Sequence, residues 1–214
     1  MMNVQNIIDR IREIMDDETL IQLKEELNSY HVADLADIFQ ELKPEERLQC
    51  FKLLDLDKAA DLMEYLPPQM QVELLGDIDE NLASQILTQL PHDAAADVLG
   101  DMEDDESETY LDKLPHKFSE EVRELLTYNE DTAGGIMNPS VLTVNSDMSV
   151  QDVLNHIRIK AEQDNMELYY VYVTDKQNHL LGVVSLRKLL TSPTNQKVED
   201  IMISDIVKLH VDDY

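Results

Sequence analysis

The sequence is poor in cysteine and in long apolar runs, and each shortage excludes a class of protein. Cys50 is the one cysteine in 214 residues, so no disulfide can form within the chain, which is typical of a reducing compartment. No apolar run approaches the ~18 residues of a membrane-spanning helix, and the N-terminus mixes charged with apolar residues, unlike a signal peptide. Phosphate-binding loops, zinc-type Cys and His spacings and nucleophile–base pairs are also missing from the sequence. No catalytic site is therefore predicted.

Basic residues are scarce as well, and one long segment has none. The chain carries 45 acidic residues against 17 Lys and Arg, which gives a formal net charge of −28. Because contacts to phosphate need Lys and Arg, nucleic-acid binding is not expected. Residues 59–112 contain 15 acids and no Lys or Arg, whereas helical proteins normally interleave the two signs. This segment must be neutralised by dissolved cations, by bound metal or by another surface.

A repeat occupies much of the first half of the chain. Three blocks of 24 residues align without gaps, at 31–54, 55–78 and 79–102. Each block closes its first half on a leucine, and proline soon follows, at Pro44, at Pro67 and Pro68, and at Pro91. Proline is tolerated in the first turn of a helix but not in its interior, so each block is predicted to form two short helices. Short paired helices at a fixed period stack into a superhelix with a shared core.

The helix predicted after Pro91 has an apolar face and an acidic face. The apolar positions follow helical spacing, at Ala95, Val98, Leu99 and Met102. Asp93, Asp97 and Asp101 recur every fourth residue on the other side. These carboxylates are either a solvated acidic face or oxygen ligands for a hard cation such as Mg²⁺, which binds one or two carboxylates and keeps several waters. The spacing alone does not decide between the two.

The pattern changes from helical to β-like after two adjacent glycines, Gly134 and Gly135, in a chain that has only five glycines. β-branched and apolar segments alternate with two amphipathic segments, which predicts the order β-α-β-β-α. Residues 136–147 then align with residues 201–212 at an offset of 65. Because a half-finished repeat cannot bury its own strand and helix, we expect a fragment of a longer protein, or a chain that borrows the missing part from elsewhere.

The segment YNEDTAGGIMNPSVLTV, residues 128–144, resembles the junction of MgtE-type magnesium transporters and channels. In that family an acidic helical domain meets a tandem pair of cystathionine-β-synthase (CBS) motifs. The resemblance covers nearly the whole chain and implies three parts: a right-handed superhelix of short α-helices like the MgtE N domain at 1–130, a first CBS motif at 131–197, and the truncated start of a second at 198–214. The implied fold class is therefore α plus α/β.

The resemblance implies a cytosolic, Mg²⁺-sensing regulatory region of a membrane magnesium transporter or channel. Such a region lies on the cytoplasmic side of the cell membrane, is itself soluble and is not an enzyme. Its implied partners are Mg²⁺ ions, a second copy bound through the CBS motifs as a homodimer, and its own transmembrane pore domain, which is absent from this chain. The region is expected to favour the closed pore when Mg²⁺ is plentiful.

Four residues match the regulatory metal positions of that family. Asp61, Asp93 and Asp97 match carboxylates that help to hold Mg²⁺, and Gly135 matches a position that contributes from the junction itself. A glycine there would let a backbone carbonyl approach a hydrated ion without interference from a Cβ. The resemblance leads us to expect Glu at position 61, so the shorter Asp has less reach. The partner acids belong to the second CBS motif and the helix beyond it, so any Mg²⁺ site in this chain should be incomplete.

An adenine-nucleotide-sensing CBS protein, with the superhelix as a scaffold for protein docking, is the alternative function. CBS pairs often contact the ribose through a Gly-x-x-[Ser/Thr]-x-x-Asp pattern. The matching stretch GVVSLRK supplies Gly182 and Ser185 but has Lys188 where the Asp would be. Weak or absent binding of ATP and AMP is therefore expected. A metal-dependent enzyme is a third hypothesis.

Overall fold

The structure, a computed structural model, describes residues 4–16, 20–161 and 168–214. It divides into two compact units, residues 1–137 and 138–213, and each has its own hydrophobic core. Among the helices that the structure describes, none has the length and apolar character needed to cross a bilayer.

Short helices make up the first unit, and prolines mark where several of them begin. Pro44 and Pro68 occupy first-turn positions, while Pro67, Pro91 and Pro115 precede helices directly. This follows from the missing N–H of proline, which the first turn of a helix does not need. The helices described in this unit are α1 (Val4–Asp16), α2 (Leu20–Ser29), α3 (Val32–Glu41), α4 (Pro44–Phe51), α5 (Leu56–Met63), α6 (Pro68–Asp77), α7 (Glu80–Gln89), α8 (His92–Gly100), α9 (Asp104–Leu111) and α10 (His116–Leu125).

These helices pack in two stacks. Each odd-numbered helix contacts the next odd-numbered one, from α1 to α9, and each even-numbered helix contacts the next even-numbered one, from α2 to α10. Every block of the repeat thus adds one helix to each stack, and the apolar faces of both stacks form one continuous core. The predicted superhelix of paired short helices, with two helices to each 24-residue block, is confirmed.

A buried arginine ties three of these helices together. Arg47 on α4 is 7% exposed, and its Nε and Nη2 donate to the backbone carbonyls of Phe39 and Leu42 at 2.9 and 3.0 Å. These carbonyls lie at the C-terminal end of α3, where helical partners run out. Nη1 lies 3.1 Å from Oε2 of Glu73 on α6. The guanidinium therefore closes α3 and links α4 to α6.

The second unit has the predicted β-α-β-β-α order. Its elements are β1 (Thr143–Asn145), α11 (Val150–Ala161), β2 (Tyr170–Thr174), β3 (Leu180–Ser185) and α12 (Leu186–Thr191). The sheet order is β1-β2-β3, with β1 parallel and β3 antiparallel to β2. Val150 and Val153 of α11 are fully buried against the sheet. The predicted combination of an α-helical part with an α/β part is confirmed.

The chain after residue 198 continues along the edge of this sheet. A short 3-10 turn, Val198–Asp200, leads to Ile203, whose backbone exchanges two hydrogen bonds with Val183 of β3. Residues 204–210, which contain the counterpart of β1 in the sequence repeat, form neither helix nor strand. Within them Val207 is 94% and Leu209 is 69% exposed.

Candidate functional site

The helix α8 presents three of the predicted carboxylates in one row. It packs against α6, α9 and α10, and the predicted apolar face is buried, at Ala95, Val98, Leu99 and Met102. Asp93 lies in the first turn, Asp97 follows one turn later, and Asp101 caps the C-terminal end. We refer to Asp93, Asp97 and Asp101 as the acidic row.

Asp93 is only partly open to solvent, and one of its oxygens is isolated. Oδ1 is buried and accepts no hydrogen bond from any residue that the structure describes. The position of Asp93 in the first turn of α8 is favourable because the helix dipole is positive there. A buried carboxylate oxygen without a donor is nevertheless rare in folded proteins and calls for a ligand, a water or an ion.

His92, next to Asp93, adds little positive charge. Its ring packs on Phe118 with the centroids 4.3 Å apart, and Nε2 lies 2.8 Å from Oε2 of Glu121. Burial lowers the pKa of His92, although the charge of Glu121 acts in the opposite direction. The imidazole is therefore largely neutral at neutral pH and contributes little positive charge to the acidic row.

Asp97 is affected by carboxylates from two parts of the chain. Loss of hydration is the main reason why the pKa of Asp97 is raised, even though the residue as a whole is exposed. The charges of Asp93, Glu130 and Asp101 raise that pKa further. Glu130 belongs to the loop after α10, so the fold brings this loop close enough to α8 to concentrate negative charge at one place.

Gly135 lies in the same loop, and its backbone is packed against an earlier part of it. A Cβ added at Gly135 would lie 2.4 Å from the carbonyl oxygen of Asn129 and 2.8 Å from Cα of Glu130. No side chain fits there without moving the backbone. The glycine is thus required for the loop to close on itself. That its carbonyl also approaches an ion, as the family resemblance implies, stays a prediction.

Asp61 lies apart from this group. It is exposed on α5, which packs in the odd-numbered stack against α3 and α7, whereas α8 belongs to the even-numbered stack. Asp61 forms no hydrogen bond or ion pair with another described residue. The structure therefore brings together Asp93, Asp97 and the loop that contains Gly135, and it does not add Asp61 to them.

The carboxylates do not form a closed cage. Within residues 4–16, 20–161 and 168–214, no three His, Cys, Asp or Glu side chains converge closely enough to hold a metal ion. This geometry is compatible with a hydrated Mg²⁺, since Mg²⁺ usually keeps several waters and needs only one or two carboxylates. It does not support a dehydrated site of the zinc or calcium kind.

Glu130 is the residue that sequence reasoning missed. It stands in the NED run, residues 129–131, which two residues separate from the paired glycines, and an acid near a predicted junction was the available signal. Its proximity to Asp97 could not be deduced from that signal, because it depends on how α10 packs on α8.

The remnant of the nucleotide motif has structural roles in the second unit. A Cβ on Gly182 would lie 2.5 Å from the carbonyl oxygen of Ile203, so glycine permits the backbone pairing at that edge. The hydroxyl of Ser185 caps α12 by accepting from the N–H of Lys188 at 3.2 Å. The Lys188 side chain is exposed.

Two families match consecutive parts of the chain. Residues 30–131 match the MgtE intracellular N domain, and residues 133–194 match the CBS domain. Two curated relatives are both magnesium transporters named MgtE. The protein from Thermus thermophilus is 39% identical over 92 residues, 43% of this chain, and the one from Enterococcus faecalis is 34% identical over 93 residues, 44% of this chain. The match spans 20% of the length of each relative.

Solved structures match over a longer stretch. The cytosolic domain of the Mg²⁺ channel MgtE, crystallised in complex with ATP, superposes with a TM-score of 0.88 at 32% identity, covering 96% of this chain and 84% of that one. The soluble part of a magnesium transporter has the same fold, with a TM-score of 0.79 at 24% identity, covering 99% of this chain and 83% of that one. The chain belongs to the MgtE family of magnesium transporters, and it matches the N domain and CBS domain of their cytosolic region.

Proposed function

We propose that this chain is the Mg²⁺-sensing regulatory region of a membrane magnesium transporter or channel, and that bound Mg²⁺ favours the closed pore. We propose Asp93, Asp97 and Gly135 as one group of ligands, which the placement of Asp93 and Asp97 on α8 supports, together with the charge of Glu130, from the loop of Gly135, acting on Asp97. Asp61 is proposed as a separate ligand, because it lies on the other stack of helices. The relatives' own identity as magnesium transporters supports the choice of ion.

One observation carries this proposal: a buried oxygen of Asp93 accepts no hydrogen bond from any described residue, and it lies beside Asp97, whose pKa is raised by loss of hydration and further by neighbouring acids. Both features lower the stability of the folded protein when no cation is bound. A hydrated Mg²⁺ supplies positive charge to the acidic row and water O–H donors to unpaired carboxylate oxygens. A monovalent ion screens the same charges less effectively at equal concentration. The residues present therefore fit the ion.

The remaining parts of the proposal concern partners. We propose that residues 198–214 begin a second CBS motif, that the CBS part forms a homodimer, and that a pore domain of the same protein responds to the bound ion. The exposed apolar residues Val207 and Leu209 support a missing partner surface. The division at 1–130, 131–197 and 198–214 stays a prediction.

The metal proposal is tested by thermal unfolding in MgCl₂ and in NaCl at matched ionic strength, because general screening must be separated from binding. We compare the parent chain with a double variant, Asp93→Ala with Asp97→Ala. A matched control, Asp34→Ala with Asp37→Ala, removes the same charge from exposed positions on α3. A ligand at ten times its Kd adds about 1.4 kcal/mol to stability, a rise in Tm of roughly 3–6 °C for a chain of this size.

We expect the parent and the α3 control to gain more from MgCl₂ than from NaCl, and the Asp93 and Asp97 double variant to lose most of that difference. In NaCl the double variant should be as stable as the parent or slightly more so, since it lacks a like-charge pair. Equal gains in all three proteins, or a gain that NaCl reproduces fully, would show that the acidic row is only a solvated face.

A second candidate function is the binding of an adenine nucleotide by the CBS unit. The ATP bound to the cytosolic domain of the MgtE channel favours it. Lys188 in place of the expected Asp opposes it, and weak or absent binding of ATP and AMP stays our prediction for this chain. Titration calorimetry tests it, and a Kd near about 1 μM, equivalent to −8.2 kcal/mol, would contradict the prediction.

A further inference from the structure

The loop after α10 is folded tightly around a buried threonine. Thr132 is 5% exposed, and its N–H donates to the carbonyl oxygen of Asn129 at 2.9 Å. Its hydroxyl donates to that same carbonyl at 2.7 Å and accepts from the N–H of Gly135 at 3.4 Å. One buried hydroxyl therefore joins the beginning of the loop to its end.

The segment that this hydroxyl closes contains two residues that matter for the proposed site. The backbone of Gly135 lies directly against Asn129 and Glu130, close enough that even a Cβ would collide. Glu130 is one of the carboxylates whose charge acts on Asp97. Glu130 and Gly135 thus lie in the segment whose two ends the Thr132 hydroxyl joins.

We propose that Thr132 is a positioning residue of the magnesium site, because its hydroxyl holds Glu130 and Gly135 together beside the acidic row. The inference rests on the proposed function. Without the hydroxyl, the loop must be ordered at the moment when the ion binds, and the entropy lost in ordering lowers the affinity. A side chain that served only the stability of the fold would not affect the ion in this way.

The test measures the Tm of the whole chain in MgCl₂ and in NaCl at equal ionic strength. The difference between the two values is the Mg²⁺-specific rise in Tm. Thr132→Val keeps the shape of the side chain and removes the hydroxyl, while Thr132→Ser keeps the hydroxyl. Thr127→Val is the matched control, because Thr127 also donates its hydroxyl to a carbonyl, that of Glu124 at 2.7 Å, but is exposed and precedes the segment from Asn129 to Gly135 that Thr132 closes.

We expect Thr132→Ser and Thr127→Val to retain the parent's Mg²⁺-specific rise in Tm, and Thr132→Val to keep less than half of it. A purely structural role would lower Tm equally in both salts and leave the rise unchanged, which would overturn the inference while the proposed function stands. If MgCl₂ raised the Tm of the parent no more than NaCl does, both the proposed magnesium site and the role of Thr132 would be wrong.

A second variant covers the case in which Thr132→Val does not fold. Asn129 is exposed, and its Oδ1 accepts from the N–H of Asp131 at 3.0 Å within the same loop. Asn129→Ala loosens the loop without creating a buried cavity. We expect a smaller Mg²⁺-specific rise in Tm for this variant than for the parent, and an unchanged rise would count against the positioning role.

Discussion

Asp97 is a carboxylate whose ionised form the fold disfavours. Loss of hydration and three neighbouring acids raise its pKa, so the folded protein holds this proton more tightly than the unfolded chain does. Ionised Asp97 therefore lowers stability at any pH above its folded-state pKa. The penalty shrinks as the pH falls through that value and is absent below the usual pKa of an aspartate.

Replacing Asp97 by its neutral isostere should reveal this penalty. We expect Asp97→Asn to stabilise the chain in NaCl at neutral pH, by roughly 0.2–0.5 kcal/mol for each like-charge contact relieved, and to bring no gain below about pH 4. Urea unfolding at the two pH values measures the difference, with the exposed Asp37→Asn as control. A stabilisation of equal size at acidic pH would contradict the electrostatic explanation.

The acidic residues around Asp97 show how much of the candidate site could be predicted from the sequence. Asp93 and Asp97 were predictable as a pair because four-residue spacing on one helix is a local property. Glu130 was not predictable, because its influence on Asp97 is created by packing between helices that are distant in sequence. Asp61 lies in the same acid-rich segment of the sequence as Asp93 and Asp97, but its helix belongs to the other stack. Composition could not reveal that separation.

Among the helices, the buried contacts of Arg47 suggest a clear stability test. Its guanidinium is the donor for two buried carbonyls at the end of α3, and a backbone acceptor left without a donor is costly. We expect Arg47→Ala to destabilise the protein by about 2–4 kcal/mol, as measured by urea unfolding. Arg10→Ala is the control, because Arg10 is itself exposed in its ion pair with Glu26, and ion pairs at the surface contribute about 0–1 kcal/mol. Similar losses in both variants would contradict this account.

Helix boundaries were predictable where a local signal marks them. Pro44, Pro68 and Pro91 each divide a block where the structure divides it, since proline acts on its own turn. The close contacts of Gly135 with Asn129 and of Gly182 with Ile203 were harder to predict from the sequence. A glycine in a sequence indicates a close approach but does not name the atom that approaches.

For the whole molecule, exposed apolar residues in the second unit predict self-association. Val207 and Leu209 lie in a segment that forms no strand, although its sequence repeats that of β1. Burying such side chains against another copy is favourable, at ~25 cal/mol per Å² of apolar surface. We expect the mass measured by light scattering to rise with micromolar concentration towards that of a dimer.

A double variant, Val207→Asp with Leu209→Asp, should reduce this association, because it places charges on the surface that would be buried. The matched control is Asp212→Asn with Asp213→Asn, which changes the charge of the same segment without altering its apolar residues. A parent chain that stays monomeric at every concentration would argue against association through this unit.

Because the helices form two stacks, the number of blocks in the chain sets the length of the first unit. Each 24-residue block contributes one helix layer to each stack, and packed helices lie about 8–10 Å apart. Duplicating or deleting one of the first two blocks, 31–54 or 55–78, would therefore move the N-terminal helices by about one layer relative to α8, while leaving the contacts of α8 with α9 and α10 in place. The length of the first unit therefore changes in steps of one block. Gain or loss of a block in evolution could lengthen or shorten the unit without changing the residues at its C-terminal end.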